Sequence, residues 1–406
     1  MAKKSLFDEI AKIAKKKNDY AFVLGEDNPY EVKSWTDTGC YILNAILSDG
    51  DIYKGILDGK RVMLSGESST AKSLFTCFMI GAYLKKNPNS YAVLFETEGS
   101  SVINMAKSVG IPEKKMIIIP VATVEECRNQ MVSMLDKIID VKEGYETTIT
   151  DGGDKKRKKI KNYKCESNEK FIFCIDSLGM LGTDKETGDV AAGKNTKDMT
   201  RAALLKAFAR VTSLKLSIAQ IPLIIVNHTY ATFDKYNPQT ASGGSGPAYM
   251  SDVHLMLFKS KEKEGKEQVG VKIRINVNKS RFMIEGKNVH IILHFKRGLY
   301  KYSNLVELAY NLGVLKKEGI SFLLPDGTKA KMKDVRQKPS KYFNKEVLEE
   351  IQVAIKDAYS FGEVDQDIDI EDELGKIDGD NDEIVVEEDK EVVSKTKKKR
   401  TKNNKS

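Results

Sequence analysis

Residues 66–73, GESSTAKS, have the spacing of a phosphate-binding loop, G-x-x-x-x-G-K-[ST], with Ala71 where the second glycine would stand. In such a loop, backbone N–H groups at a helix N-terminus cradle the phosphates. Lys72 would reach the β- and γ-phosphates, and the Ser73 hydroxyl would hold Mg²⁺. The second glycine relieves crowding near the phosphates. Alanine adds one methyl, which weakens the match without abolishing it. The alternative is a Ser/Thr-rich turn with a solvated lysine. Other polar residues extend the same chemistry. Asp176 closes the apolar run FIFCID, where a carboxylate can hold the water shell of Mg²⁺. Glu96 and Glu98 end LFETE, and a glutamate beside a phosphate loop can orient an attacking water. They alternate along the chain, so only one should face the site. Asn227 and His228 end IPLIIVNH, placed to sense a γ-phosphate. Each alone could be an ordinary polar residue closing a strand.

These residues need a scaffold that brings strand ends together. RVMLSG (61–66), SYAVLFET (90–97), MIIIPV (116–121), FIFCIDSLGML (171–181) and IPLIIVNHTY (221–230) read as buried strands. Helical stretches lie between them, including Lys72–Leu84 and VEECRNQMVSMLDKIIDV (124–141). Strands alternating with helices predict an α/β fold with a mostly parallel central sheet. Polar ends on one sheet edge place a ligand at that edge. VHLMLF (253–258), VKIRINVNKS (271–280) and NVHIILHF (288–295) are further strands. TDTGCYILNAIL reads as a helix capped by Thr36 or Asp37, and helices are expected at YSNLVELAYNLGVL and NKEVLEEIQVAIKDAYSFG. The lysine-rich insertion GYETTITDGGDKKRKKIKNYKCE (144–166) could contact duplex DNA, but reads more simply as a solvated surface loop. His290 and His294 are too far apart along a strand to read as a metal pair.

The 406 residues are enough for one large domain or two small ones, and 41% are hydrophobic. No stretch approaches the roughly 18 apolar residues a membrane span needs. The basic amphipathic N-terminus, MAKKSLFDEIAKIAKKKND, has no signal-peptide run; packing on a neighbour suits it better than a membrane surface. The five scattered cysteines, with no C-x-x-C pair, point to a reducing compartment and away from a zinc site. Charge is segregated. Residues 363–392 hold fifteen acids and two lysines, and residues 393–406 seven cations, leaving about +14 for residues 1–362 of a chain whose net charge is +8. A basic body suits a polyanionic partner. The acidic tail either competes for that surface or only keeps the protein soluble, and its composition predicts disorder.

In chain order, GESSTAKS, LFETEG, FCIDSLG, DMTRA, VNHTY, GGSGP and KSR resemble the RecA-type recombinases, and within them those of T-even-type bacteriophages, over residues 35–360. The resemblance implies a RecA-like P-loop ATPase core at 51–300, an N-terminal oligomerisation segment at 1–50, a C-terminal helical region at 301–362 and a disordered tail at 363–406. It implies an ATP-dependent recombinase that forms a helical filament on single-stranded DNA and exchanges strands with homologous duplex. Single-strand-binding and mediator proteins would be its partners, in the cytoplasm of a phage-infected host and away from membranes. Gly66, Ser68, Ser69, Thr70, Ala71, Lys72 and Ser73 would hold ATP, with Ser73 and Asp176 on Mg²⁺. Glu98 would activate water. His228 would stand where bacterial relatives carry a coupling glutamine. Lys279 and Arg281 would reach a neighbouring subunit's ATP. Arg201, Gly243, Gly244 and the loops near 182–200 and 229–247 would meet DNA. Phe233 and Tyr236 there would stack on bases or anchor their loop.

Departures from the family pattern include Ala71, the insertion, and Met105, where relatives often carry an adenine-stacking tyrosine. A hexameric replicative helicase shares the same core and is the alternative. A DNA binder with a decayed P-loop is a further one, disfavoured because Lys72, Glu98 and Asp176 are all present.

Overall fold

Alternation of side chains along each central strand makes two apolar faces. In the first, Val62, Leu64, Ala92, Leu94, Ile172 and Cys174 pack with the helix over 72–86. In the second, Met63, Val93, Phe95, Phe173 and Ile175 pack with the helices over 124–143 and 201–219. Both faces are covered, so the strands are apolar throughout, as expected of a parallel sheet flanked by helices. The computed structural model describes residues 5–99, 102–149, 155–160, 164–165, 167–193, 200–232, 239–244, 246–296 and 298–361. Met1–Phe361 form one compact unit. The expected disordered tail lies outside the described residues.

The elements that position the site run in this order. Helix α1 (Leu6–Lys17) is followed by β1 (Arg61–Gly66), α2 (Lys72–Lys86), β2 (Ser90–Glu96), β3 (Met116–Pro120) and α3 (Val124–Glu143). A hairpin, β4 (Tyr145–Ile149) with β5 (Lys155–Lys159), leads to β6 (Lys170–Asp176), α4 (Arg201–Ala219), β7 (Leu223–Ala231) and β8 (Gln239–Ala241). Then come α5 (Gly246–Met250), β9 (Val253–Glu264), β10 (Glu267–Ser280), β11 (Asn288–His294) and, near the end, α6 (Lys345–Tyr359). The sheet order is β11-β10-β9-β1-β7-β6-β2-β3, with Gly298–Leu299 beyond β11 and β8 branching from β7. Neighbours from β9 to β3 are parallel. β9–β10, β10–β11 and β7–β8 are antiparallel.

The central strands fall on their predicted apolar runs, except that the strand expected over 171–181 ends at Asp176 and Leu178–Met180 form a single 3₁₀ turn. Three further expectations change. The helix expected from Thr36 begins at Tyr41, because Thr36 pairs with Ile56 in a short ladder and Gly39 turns the chain with φ +81°. β9 and β10 extend beyond their apolar cores as a long charged hairpin, pairing Val253–Glu264 with Glu267–Ser280. The insertion expected as a loop contains the β4–β5 ribbon, with Tyr145 opposite Lys159 and Glu146 opposite Lys158. Five consecutive cations at 155–159 carry no period-2 hydrophobic signal, so only backbone pairing reveals that strand.

Candidate active site

The site is built at the C-terminal end of β1. Gly66 ends that strand, and a Cβ there would meet the Leu257 carbonyl and Thr70 Oγ1, each at 2.7 Å. Only glycine fits. Thr70 ties the loop by donating to the Glu67 carbonyl at 2.8 Å. The loop delivers Lys72 and Ser73 as the first residues of α2. Lys72 Nζ donates to the Gly66 and Glu67 carbonyls at 2.8 and 2.7 Å, and burial lowers its pKa. A bound phosphate would replace those carbonyls as its partner.

Ala71 sits at φ +68°, ψ +20°, the left-handed region that favours glycine. The second glycine of the motif therefore has a conformational reason as well as a steric one. A non-glycine residue here costs ~1–2 kcal/mol, partly offset by the smaller unfolded-state entropy of alanine. Ala71→Gly should stabilise the chain by about 0.5–1 kcal/mol, read as a higher urea midpoint at unchanged m-value. A lower midpoint would show that the loop does not hold this conformation.

Strands β2, β6 and β7 bring their ends beside the loop, since β1 pairs with β7, β7 with β6 and β6 with β2 in one parallel register. Asp176 ends β6. Its carboxyl is pushed up to about 6, chiefly by burial; a hydrogen bond with Ser73 opposes that shift, and Glu98 adds to it. Its Oδ2 is buried without a hydrogen-bond partner. An orphaned carboxylate oxygen beside a serine hydroxyl is a hard-oxygen donor set of the kind Mg²⁺ takes. The residues present therefore fit that ion.

Folding bears a cost at Asp176. Its folded pKa of about 6 exceeds the unfolded value of ~3.9, so the ionised form is penalised in the folded state above pH ~6. The penalty disappears as pH falls below ~4, where both states are protonated. Asp176→Asn should therefore raise unfolding stability by about 2–3 kcal/mol at neutral pH and by almost nothing at pH ~4. Denaturant titrations across that range check it. A gap that persists at low pH would refute the electrostatic origin.

Glu96 and Glu98 divide as their alternation predicts. Glu96 is buried, and its carboxylate accepts from the backbone N–H groups of Glu98 and Gly99 at 3.0 and 2.8 Å. It shapes the turn that swings Glu98 toward the loop. Glu98 Oε1 lies 2.9 Å from His228 Nε2 and accepts from Ser177 Oγ at 2.8 Å. Burial pushes the Glu98 carboxyl up, but the His228 and Ser177 hydrogen bonds and nearby Lys72 outweigh it and hold the carboxyl below its ordinary value. A carboxylate kept ionised on the site's edge can accept a proton or orient water.

Several participants carried no sequence signal. Ser177 orients Glu98. Gln239, on β8, donates to Glu67 of the phosphate loop at 2.7 Å, while Asn227, which the sequence placed to sense a γ-phosphate, is buried and donates to the Ser242 carbonyl at 2.9 Å. These bonds join the nucleotide loop to the segment returning from the 229–247 loop. His254 is buried with Nε2 2.7 Å from Ser65 Oγ, and burial holds its pKa down to about 4. Polar residues separated by tens to hundreds of positions give no local pattern from which to infer such pairs.

The other expected residues lie elsewhere. Gly243 and Gly244 both have left-handed backbone, and a Cβ on Gly243 would strike Leu205 and Pro247 at 2.9 Å. Arg201 is committed to the protein's own backbone, donating to the Leu178, Gly179 and Leu181 carbonyls at 3.1, 2.9 and 2.7 Å. It pins the chain after β6. Phe233 and Tyr236 lie outside the described residues. Met105 packs against the core.

Lys279 and Arg281 are not brought to this chain's phosphate loop. Lys279 pairs with His254, which pairs with Met63 near the start of β1, whereas the loop follows its end. Lys279 donates to the Ala248 and Ser251 carbonyls at 2.5 and 2.8 Å. Arg281 lies beyond the end of β10, 3.2 Å from Asp252, which also holds buried Arg61 at 2.6 Å. Arg281 shares a pocket with Lys206, Arg210 and Tyr249.

The mixed α/β architecture, with a mostly parallel sheet and this loop at the end of its central strand, is a RecA-like P-loop core. The chain belongs to the RecA-type recombinase family. It is 31% identical over 276 residues to the Recombination and repair protein of Enterobacteria phage T4, covering 68% of this chain and 63% of that protein. Protein RecA of Thermus thermophilus is 28% identical over 197 residues, 45% of this chain and 54% of the relative. Protein RecA of Wolbachia from Brugia malayi is 22% identical over 379 residues, 91% of this chain and 94% of the relative. The chain thus spans less than two thirds of the phage protein's length and about half of the Thermus protein's. No protein-family model matches it. Among the described residues, no helix is long and apolar enough to cross a membrane.

Proposed function

We propose that this chain is an ATP-dependent DNA recombinase whose copies polymerise head to tail on single-stranded DNA and exchange strands with homologous duplex. One observation carries the proposal. The phosphate loop, Asp176 and Glu98 converge at one end of the parallel strands, while Lys279 and Arg281 stand near the other end. A site with its carboxylates on one copy and its stabilising cations on another is complete only between copies. A repeating head-to-tail contact of that kind builds a ring or a helix.

Lys72 and the loop N–H groups would bind the phosphates, and Ser73 and Asp176 would hold Mg²⁺, which neutralises charge on them. Glu98 would orient the attacking water, and Lys279 and Arg281 of the next copy would stabilise charge on the transferring phosphoryl group. The links from His228 to Glu98 and from Gln239 to Glu67 connect nucleotide state to the loops that would meet DNA. ATP binding then favours the DNA-holding state and hydrolysis releases it. Helix α1 supports polymerisation, because Leu6, Phe7, Ile10 and Ile13 form an apolar stripe that stays exposed within one chain. Phage single-strand-binding and mediator proteins, in the infected cell, complete the proposed setting.

The test is electron microscopy of the chain with single-stranded DNA and a non-hydrolysable ATP analogue, paired with ATPase assays with and without DNA. Helical filaments and DNA-stimulated turnover are expected. Closed rings that unwind forks would assign a helicase instead, and no turnover under either condition would indicate a decayed site.

A further inference from the structure

The β4–β5 ribbon leaves the C-terminal end of α3, whose N-terminal end lies beside the loop after β6. Val124 N–H donates to the Gly182 carbonyl there. The helix has 20 residues, so at 1.5 Å per residue the ribbon's root is ~30 Å from the loops that would meet single-stranded DNA. Residues 155–159 are KKRKK, five successive cations on one strand. Cations sharing a face repeat every ~6.8 Å, about twice the ~3.4 Å axial rise between phosphates of one DNA strand.

The ribbon is tied to a second basic element. Tyr145 donates from its hydroxyl to Asp19 at 2.7 Å, and Tyr20 donates to Glu143 at 2.5 Å. These bonds bring the last turn of α1, with Lys15, Lys16 and Lys17, next to the root of the ribbon. Lys16, Lys17 and residues 155–159 supply seven cations, Lys15 being engaged by Glu26; the acids in the joined segments 15–20, 143–149 and 155–160 are Asp19, Glu143 and Glu146, and two of these already accept from tyrosines. Lys158 and Lys159 are exposed. Tyr145 is the aromatic ring of the ribbon, and it is engaged by its hydroxyl bond and by Lys159 at 5.4 Å from the ring centroid.

We propose that this composite surface is a second nucleic-acid site, which binds the phosphate backbone of duplex DNA without reading its sequence. Single strands are held largely by aromatic stacking on unpaired bases, and the ribbon offers no ring for that. Lysine point charges on a narrow ribbon suit a duplex, whose bases are stacked inside and whose phosphates line its surface. The site rests on the proposed function only for its purpose, which is to hold incoming duplex away from the primary strand.

The test compares the full chain with the Lys155→Ala/Lys158→Ala/Lys159→Ala variant. Duplex binding is measured across a salt series without nucleotide, so it reads out even if the ATPase proposal fails. Single-strand binding is measured separately with a non-hydrolysable ATP analogue. The variant should flatten the duplex slope of log K against log[salt] by up to ~2.7, at ~0.9 for each phosphate no longer neutralised, and leave single-strand binding unchanged. Glu146→Lys should steepen the duplex slope by up to ~0.9. Matching thermal melts exclude misfolding. An unchanged duplex slope, or equal flattening for both DNA forms, overturns the site. A duplex effect that vanishes on truncation after Phe361 assigns the cations to the acidic tail and overturns it as well.

Discussion

Changing Lys279 to Met and Arg281 to Ala should lower DNA-stimulated ATP turnover about 10³-fold or more while each chain still binds ATP, as expected for cations that act on a transferring phosphoryl group. Arg281 can be removed cleanly, because Asp252 keeps its 2.6 Å ion pair with Arg61. Lys279→Met preserves most of the side-chain volume but leaves the Ala248 and Ser251 carbonyls without that donor, so a melting control belongs with it. Mixing supplies the decisive measurement. In random polymers of this variant with Glu98→Gln chains, roughly one interface in four joins an intact Glu98 to intact cations, by the geometry of a head-to-tail contact. Turnover should reappear on mixing two inactive preparations. Continued inactivity in demonstrably mixed polymers would mean the cations do not act across the interface.

Glu98→Gln should reduce turnover ~10²–10⁴-fold and leave ATP affinity within a few-fold of the parent, the range expected when a positioned base is lost. Glutamine can still accept from Ser177 and meet His228, so the site's shape survives while its basicity goes. Equilibrium binding of a labelled nucleotide and single-turnover hydrolysis separate the two effects. A parallel collapse of binding would show that Glu98 supports the nucleotide rather than the water. The Asp176→Asn experiment complements this one, because there loss of Mg²⁺-dependent turnover should accompany a gain in stability. Functional carboxylates are costly to fold around when unoccupied.

Runs of apolar residues closed by a single polar residue made the central strands legible, and the G-x-x-x-x-A-K-S spacing located the loop at the end of the first of them. Arg61–Gly66 as a strand and Lys72 as the first residue of a helix follow from sequence order and hydrophobic patterning. The division of labour between Glu96 and Glu98 was half legible. Alternation said that one would face the site, but the backbone N–H groups bound by Glu96 decided which.

Sequence alone therefore determined the layered α/β core, the loop that ends its first strand, and the carboxylates available to it, because these depend on local periodicity and short spacing. Tertiary structure decided that Ala71 adopts a left-handed backbone, that Ser177 and His228 meet on Glu98, that Lys279 and Arg281 lie away from their own phosphate loop, and that the lysine-rich insertion pairs as a ribbon beside α1. Those facts depend on strand register and long-range packing, which join residues 130 positions apart, as with Glu98 and His228, or 189 apart, as with Ser65 and His254, and leave no trace in neighbouring sequence.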